Sequence, residues 1–108
     1  MTILANGQIP IAQADIFTVS GSDVLDTERV NINKITFFNT SAIEQTAILS
    51  IKEFSGASRV LRQFVLLENE GGEYLEPGEV LPMENGDKLQ ALTTTADAVN
   101  FVIFGARL

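Results

Sequence analysis

The residues best suited to chemistry are carboxylates crowded into one part of the chain. Seven of the 14 acidic residues fall in the stretch 68–87, namely Glu68, Glu70, Glu73, Glu76, Glu79, Glu84 and Asp87. Carboxylates beside a Gly-rich turn can bind Ca²⁺, which takes about six to eight oxygen ligands. The spacing matches no EF-hand loop, so we expect a solvated loop face and no metal site. If a cation binds, Glu68, Glu70 and Glu73 are the residues to test first.

Nucleophilic catalysis would need a base to activate a serine. The chain has no His and no Cys, so only a Ser–Lys pair through Lys34, Lys52 or Lys88 remains formally open. Ser50 and Lys52 are two residues apart on a predicted strand and therefore share a face. That pattern is far more typical of a solvated strand face than of a catalytic dyad.

Two further kinds of site are disfavoured by residue type. Glycoside hydrolysis uses two carboxylates across a cleft, usually with aromatic platforms, but the chain has no Trp and one Tyr, Tyr74. Gly71-Gly72 follows Glu68 and Glu70, which is the wrong charge for a phosphate loop, so we expect a flexible loop tip there. The sequence thus predicts no catalytic, cofactor-binding or metal-binding residue, no cofactor, and a protein that is not an enzyme.

Net charge and composition limit the classes of partner that the chain can bind. The chain carries a net charge of −7, and its seven basic residues are scattered, with only Arg59 and Arg62 close together. We therefore expect no direct nucleic-acid binding and no binding to an anionic membrane. The start of the chain lacks a basic signal-peptide region, which favours a protein made and used without secretion. A hydrophobic fraction of 45% is high for a small monomer and suggests that some apolar residues meet a partner subunit.

Turn signals at intervals of about ten residues predict an all-β fold. Short apolar runs separate Asn6-Gly7, Ser20-Gly21-Ser22, Asn39-Thr40-Ser41, Ser55-Gly56, Gly71-Gly72, Pro77-Gly78 and Asn85-Gly86. We predict one domain over residues 1–108, an antiparallel β-sandwich or jelly roll. Residues 1–11 are an extended N-terminal arm, a first strand or a frayed terminus.

Alternating side chains locate the clearest strands. Val30 and Ile32 begin one strand, and residues 46–54 place Ala47, Leu49 and Ile51 on one face. A short helix is the alternative for 46–54, but its β-branched content favours a strand. Ser55-Gly56 predicts a hairpin into residues 59–66.

The end of the chain gives two more expectations. Asn85-Gly86 suits a type I′ hairpin turn, and Pro82 makes the strand before it short or places it at an edge. The last strand, 99–108, is apolar on both faces. It is therefore either central in a two-layer core or faces another subunit.

The order of several short motifs resembles a family of small bacteriophage structural proteins. The matching segments are 4–10 (LANGQIP), 15–19 (DIFTV), 35–41 (ITFFNTS), 75–79 (LEPGE), 85–91 (NGDKLQA) and 96–105 (ADAVNFVIFG). The resemblance covers nearly the whole chain, and the acidic segment 68–76 departs from it.

This resemblance implies a β-sandwich or jelly-roll protein of the phage particle, made in the bacterial cytoplasm. The expected role is capsid decoration, in which a cement protein bridges capsid subunits and stabilises the head. Its partners would be the major capsid protein and copies of itself in a homo-oligomer. The alternative is a tail, head–tail or fibre-associated structural part, or a module that binds a glycan or receptor through Tyr74 or Phe54.

Overall fold

The computed structural model describes residues 2–19, 29–54 and 56–108. These residues form nine β-strands and no helix. The strands are β1 (Thr2–Gln8), β2 (Ala14–Thr18), β3 (Arg29–Asn39), β4 (Gln45–Lys52), β5 (Ser58–Leu66), β6 (Gly71–Tyr74), β7 (Leu81–Glu84), β8 (Lys88–Thr93) and β9 (Val99–Arg107). The predicted all-β class is confirmed.

The strands form two antiparallel sheets. One is five-stranded in the order β1-β9-β3-β6, with β7 also paired to β3, and the other is four-stranded in the order β2-β8-β4-β5. The pairs β4–β5, β3–β6, β2–β8 and β1–β9 are nested in sequence, as in one long hairpin wound into two layers. This nesting is the jelly-roll form of a β-sandwich.

The core lies between the two sheets. The Phe37 ring of the five-stranded sheet meets the Phe64 ring of the four-stranded sheet, with centroids 4.8 Å apart. Ala47, Leu49 and Ile51 are all buried on one face of β4, as the alternation predicted. Burying such apolar side chains contributes about 1.5–3 kcal/mol each for the larger ones, which is the main force holding the layers together.

A bulge in β3 explains why its alternation changes phase. Val30 and Ile32 are buried at even positions, whereas Ile35 and Phe37 are buried at odd positions. The pairing with β9 shifts between Ile32 and Lys34, which inserts one extra residue. A one-residue insertion moves every later side chain to the opposite face, so both halves of β3 reach the core.

Two strand predictions near the hairpin and the chain end are confirmed. β4 and β5 pair as an antiparallel hairpin, although Ser55 of the predicted turn lies outside the described residues. β9 is central, between β1 and β3, and its inner face is buried from Val99 to Gly105. Its outer face is half-buried at Val102 and Phe104.

The predicted type I′ hairpin at Asn85-Gly86 is wrong. β7 belongs to the five-stranded sheet and β8 to the four-stranded sheet, so the turn carries the chain from one layer to the other. Gly86 has a φ of 88°, and Asn85 is not among the residues with positive φ. One positive φ at the third residue of a turn is the pattern of type II, not type I′. The related prediction for Pro82 is confirmed, since β7 has 4 residues and pairs along one side of β3.

Two other predicted turns are strands. Asn6 and Gly7 lie inside β1, and Gly71 and Gly72 form the start of β6 rather than a loop tip. At Gly72 a Cβ would lie 3.2 Å from both Phe64 Cδ1 and Leu66 Cδ2, so glycine lets β6 approach the opposite layer. Asn39-Thr40-Ser41 and Pro77-Gly78 do form loops, and Ser20-Gly21-Ser22 lies outside the described residues.

The start of the chain is a strand of the sandwich. β1 pairs antiparallel with β9, from Thr2 opposite Gly105 to Gln8 opposite Asn100. Ile9 follows it into the core, with 1% of its surface exposed, and its N–H donates to the Val99 oxygen. Residues 2–8 thus form a first strand, one of the alternatives considered for this part of the chain.

Candidate functional site

The acidic side chains of 68–87 are spread along turns and strand ends. Among residues 2–19, 29–54 and 56–108, no three acidic side chains come close enough together to hold a metal ion. Glu68, Glu70 and Glu73 therefore do not form the cation site that we would have tested first. Glu73 instead lies 3.7 Å from the Lys34 ammonium.

Several of these carboxylates hold turns closed. Asp87 accepts hydrogen bonds from the backbone N–H groups of Phe54 at 3.1 Å and Glu84 at 2.9 Å. Glu79 accepts one from the N–H of Glu76 at 2.8 Å, across the Pro77-Gly78 turn. Carboxylates that cap backbone N–H groups in this way stabilise turns. The acidic stretch thus has a local structural use.

The serine and lysine residues are also engaged in structure. Ser50 lies on β4 with 2% of its surface exposed, so the predicted solvated strand face is wrong at this position. Lys52 is half-buried further along the same strand. Lys34 is paired with Glu73, and the Lys88 ammonium lies 3.3 Å from an Asp15 carboxylate oxygen. Two of the three lysines considered for a Ser–Lys pair are thus held by carboxylates.

A chain of polar side chains crosses the outer face of the four-stranded sheet. Gln13 donates to Gln90 Oε1 at 2.9 Å, Ser58 Oγ donates to the same oxygen at 2.9 Å, and Gln90 Nε2 donates to Asp15 at 3.0 Å. The Gln90 hydrogen bond, together with the Lys88 ammonium, lowers the pKa of Asp15. Residues up to 77 positions apart in sequence meet here, so no local pattern could have predicted this network.

The two aromatic residues considered for glycan binding do not form one platform. Tyr74 is half-buried on β6 opposite Ile35 and packs against the core. Phe54 follows β4 in the other sheet and is 66% exposed. It lines a hollow of about 640 Å³ with Arg59 and Pro82. Of these two residues, Phe54 is the exposed one.

The outer face of the five-stranded sheet carries an apolar surface that could contact a partner protein. Ile3, Phe104 and Lys34 lie in one row across β1, β9 and β3, because Phe104 is the register partner of both others. Val102 lies in the next row, and Phe38 follows opposite Asn100. We call Ile3, Phe38, Val102 and Phe104 the outer patch. Ile3 is 54% exposed and Phe38 is 45% exposed, although both lie in regular strands.

A charged pair borders the outer patch. The Lys34 ammonium lies 5.4 Å from the centre of the Phe104 ring and 3.7 Å from the Glu73 carboxylate. An open hollow of about 600 Å³ lies beside it, lined by Thr36, Phe38, Gly71, Glu73, Asn100 and Val102. The surface thus combines apolar contact area with one cation and one carboxylate at its border. That mixture is typical of protein–protein contact surfaces.

One sequence signal pointed to this surface. The sequence predicts that 99–108 is apolar on both faces, and Val102 and Phe104 are the apolar residues on the face that lies outside the core. The contribution of Ile3 and Phe38 was missed, because it depends on the register of β1 and on the bulge in β3. Neither follows from local periodicity.

The Asn-Thr-Ser segment after β3 has a structural use. Asn39 is fully buried, and its Oδ1 accepts hydrogen bonds from the N–H and the hydroxyl of Ser41 at 2.9 Å and 2.7 Å. Thr40 donates through its N–H and hydroxyl to the Ala98 oxygen. These bonds fix the loop between β3 and β4 against the start of β9.

Comparisons of the chain with models of known families, with curated proteins and with solved structures give no match. In the described part of the chain, no helix has the length and apolar character needed to cross a membrane.

Proposed function

We propose that this chain is a structural protein of a bacteriophage particle and that it decorates the capsid. In this role it bridges neighbouring capsid subunits and stabilises the head against the pressure of packaged DNA. The observation that carries the proposal is the outer patch, an apolar surface on the face of a sheet turned away from the core. The assignment to a phage particle comes from the resemblance of the sequence to small phage structural proteins.

The jelly-roll arrangement supports a role in contact rather than turnover. Jelly rolls recur in viral capsid and lectin domains, although a fold alone does not determine a function. In this chain Asp87 and Glu79 cap turns, and Glu73 pairs with Lys34. Ile3 and Phe38 are exposed apolar side chains in regular strands.

Charge supports a location on the outside of the shell. The net charge of −7 disfavours contact with packaged DNA, because phosphate neutralisation requires clustered cations. A capsid subunit that meets the outer patch would bury Phe38 and Ile3 and would face the Lys34–Glu73 pair at the border. Apolar centres with charged borders give affinity and orientation together.

The second candidate is a tail or fibre-associated part that contacts a glycan or receptor. Phe54 favours it, because its ring is 66% exposed at the rim of a hollow that Arg59 and Asn85 also line. Exposed aromatic side chains are common contacts for sugars and for protein hot spots. The two candidates use opposite parts of the molecule, so variants can separate them.

The test is binding of the purified chain to empty shells assembled from the major capsid protein of the same phage. Phe38→Asp should weaken binding about tenfold or more, because it places a charge where about 1.5–3 kcal/mol of apolar burial is expected. Phe54→Asp is the matched control and should bind as the wild type does. Wild-type protein that does not bind the shells, or equal binding by Phe38→Asp, would contradict the decoration role. If the protein binds a receptor or glycan, and Phe54→Asp loses that binding while Phe38→Asp keeps it, the second candidate would be favoured.

A further inference from the structure

The four outer edges of the sandwich differ in how they are protected from pairing with another strand. An exposed edge strand presents unpaired backbone groups, and proteins usually blunt it with charges, prolines or bulges. β5 carries Arg59 and Arg62, and β2 carries Asp15 in its ion pair with Lys88. The edge formed by β6 and β7 carries Glu73 and Pro82.

β1 is the exception among these edges. Its sequence, TILANGQ, has no charged residue and no proline, and each of the other eight described strands has at least one charged residue. β1 pairs with β9 alone in its sheet, so its other side is an edge. Thr2, Ile3, Asn6, Gly7 and Gln8 are all exposed.

The regular part of β1 is long enough to accept a partner strand. A bulge at Leu4 interrupts the register between Ile3 and Ala5. From Ala5 to Gln8 the pairing with β9 is continuous, residue for residue, from Ile103 to Asn100. This uninterrupted run has Asn6 near its middle, with its side chain on the outer face beside Val102.

We propose that β1 pairs antiparallel with β1 of a second copy, centred near Asn6, and so joins the five-stranded sheets of two copies. The charge distribution favours a second copy as the occupant. Two chains that each carry a charge of −7 repel one another, and the repulsion is smallest where the meeting surfaces are uncharged. A charged foreign strand would find no ion partner along β1, whereas another β1 brings no charge to be satisfied.

This pairing also extends the outer patch. Ile3 lies in the same row as Phe104, so a two-fold axis at β1 places the outer patches of both copies on one continuous face. A doubled apolar face would suit a protein that spans two capsid subunits. This pairing rests on the proposed function only because that function expects contacts between copies. It can be tested without any capsid shell.

The first test is sedimentation equilibrium of the purified chain. Wild-type protein should form a dimer, and Asn6→Lys should weaken dimerisation about tenfold or more, because like charges opposite one another across paired strands are unfavourable. Gln63→Lys is the control, since Gln63 is an exposed, uncharged residue on the other long edge strand, β5. It should dimerise as the wild type does. Unchanged melting temperatures would show that both variants fold.

The second test uses the absence of cysteine from the chain. Asn6→Cys should form a disulfide-linked dimer on mild oxidation, because Cα atoms paired across antiparallel strands are about 4.5–5.5 Å apart, within the range that a disulfide spans. Gln63→Cys should remain mostly monomeric in the same reaction. A monomeric wild type, or equal behaviour of the Asn6 and Gln63 variants, would overturn the pairing. A monomer that still binds shells would reject this inference alone, and a dimer that does not bind them would reject the decoration role alone.

Discussion

The side-chain amide of Asn39 donates a hydrogen bond to the backbone oxygen of Leu66 over 3.0 Å. Asn39 ends β3 in the five-stranded sheet and Leu66 ends β5 in the four-stranded sheet, so this bond joins the two layers at one end of the sandwich. The same amide reaches the oxygens of Leu67 at 3.1 Å and Ile43 at 2.8 Å. A single buried side chain thus satisfies backbone groups of three loop or strand ends.

Replacing Asn39 with Ala should destabilise the protein by about 3 kcal/mol, because several buried polar groups lose their partners at about 1–3 kcal/mol each. Urea unfolding followed by circular dichroism measures the change. Asn100→Ala, at an exposed position of β9, is the control and should change stability by less than about 0.5 kcal/mol. Equal stability of the two variants would show that the Asn39 bonds do not hold the layers together.

Gly105 lies where β9 crosses the β3 bulge. A Cβ at this position would overlap the backbone oxygen of Asn31 and would lie 2.9 Å from the Leu4 side chain. Because backbone cannot move aside cheaply, Gly105→Ala should cost about 3 kcal/mol. Gly78→Ala, with a φ of 90° but open space around it, should cost only about 1 kcal/mol. Thermal unfolding should rank the two variants in this order, and the reverse order would contradict the packing at the bulge.

Gly86 is constrained by backbone conformation and by a neighbour. Its φ is 88°, and a Cβ would overlap the Phe54 ring. Gly86→Val should therefore weaken the protein by more than the roughly 1 kcal/mol expected from positive φ alone. A double-mutant cycle of Gly86→Ala with Phe54→Ala separates the two causes. We expect the Phe54 change to relieve part of the loss, and strictly additive effects would show that the ring does not press on Gly86.

The lowered pKa of Asp15 gives a pH dependence with a definite sign. A carboxyl whose pKa is lower in the folded state binds its proton more readily when the chain is unfolded. Its contribution to stability is therefore present above the unfolded pKa of about 3.9. That contribution is lost as the pH falls through the folded pKa. The effect is small because the Asp15 side chain is 41% exposed. Asp15→Asn should lose less stability than the wild type between pH 5 and pH 2.

Melting temperatures over that range measure the Asp15 contribution. Glu44→Gln, in the exposed loop before β4, is the control and should follow the wild-type curve. If Asp15→Asn also followed the wild-type curve, the link between Asp15, Gln90 and Lys88 would not stabilise the fold.

The sequence predicted those parts of the fold that local chemistry decides. Alternation located Ala47, Leu49 and Ile51 correctly, because a strand with one buried face shows its burial in every second residue. The helix alternative for this segment failed for the same reason. The Pro77-Gly78 turn is equally local, since Gly78 supplies the positive φ.

The parts that were missed depend on contacts between distant segments. Asn85-Gly86 is a good local signal for a turn, but whether the chain continues in the same sheet or crosses to the other is decided by the strands that flank it. Gly71 and Gly72 look like a loop tip in sequence, yet they form a strand because they pair with Phe38 and Phe37 of β3.

The candidate site, too, was predictable only where it depends on local sequence. The apolar outer face of β9 was visible in sequence, since Val102 and Phe104 alternate with buried residues. The positions of Ile3 and Phe38 beside them come from the β1–β9 register and from the bulge near Asn33. A one-residue change in either would turn those side chains toward the core, so the patch could not be assembled from the sequence.

The proposed decoration role is tested most directly by cryo-electron microscopy of the phage particle to which we assign this chain. We predict density for a jelly roll on the outer surface of the head, with Ile3, Phe38, Val102 and Phe104 turned toward capsid subunits or toward a neighbouring copy. Heads without this density, or density in which the outer patch faces solvent, would contradict it.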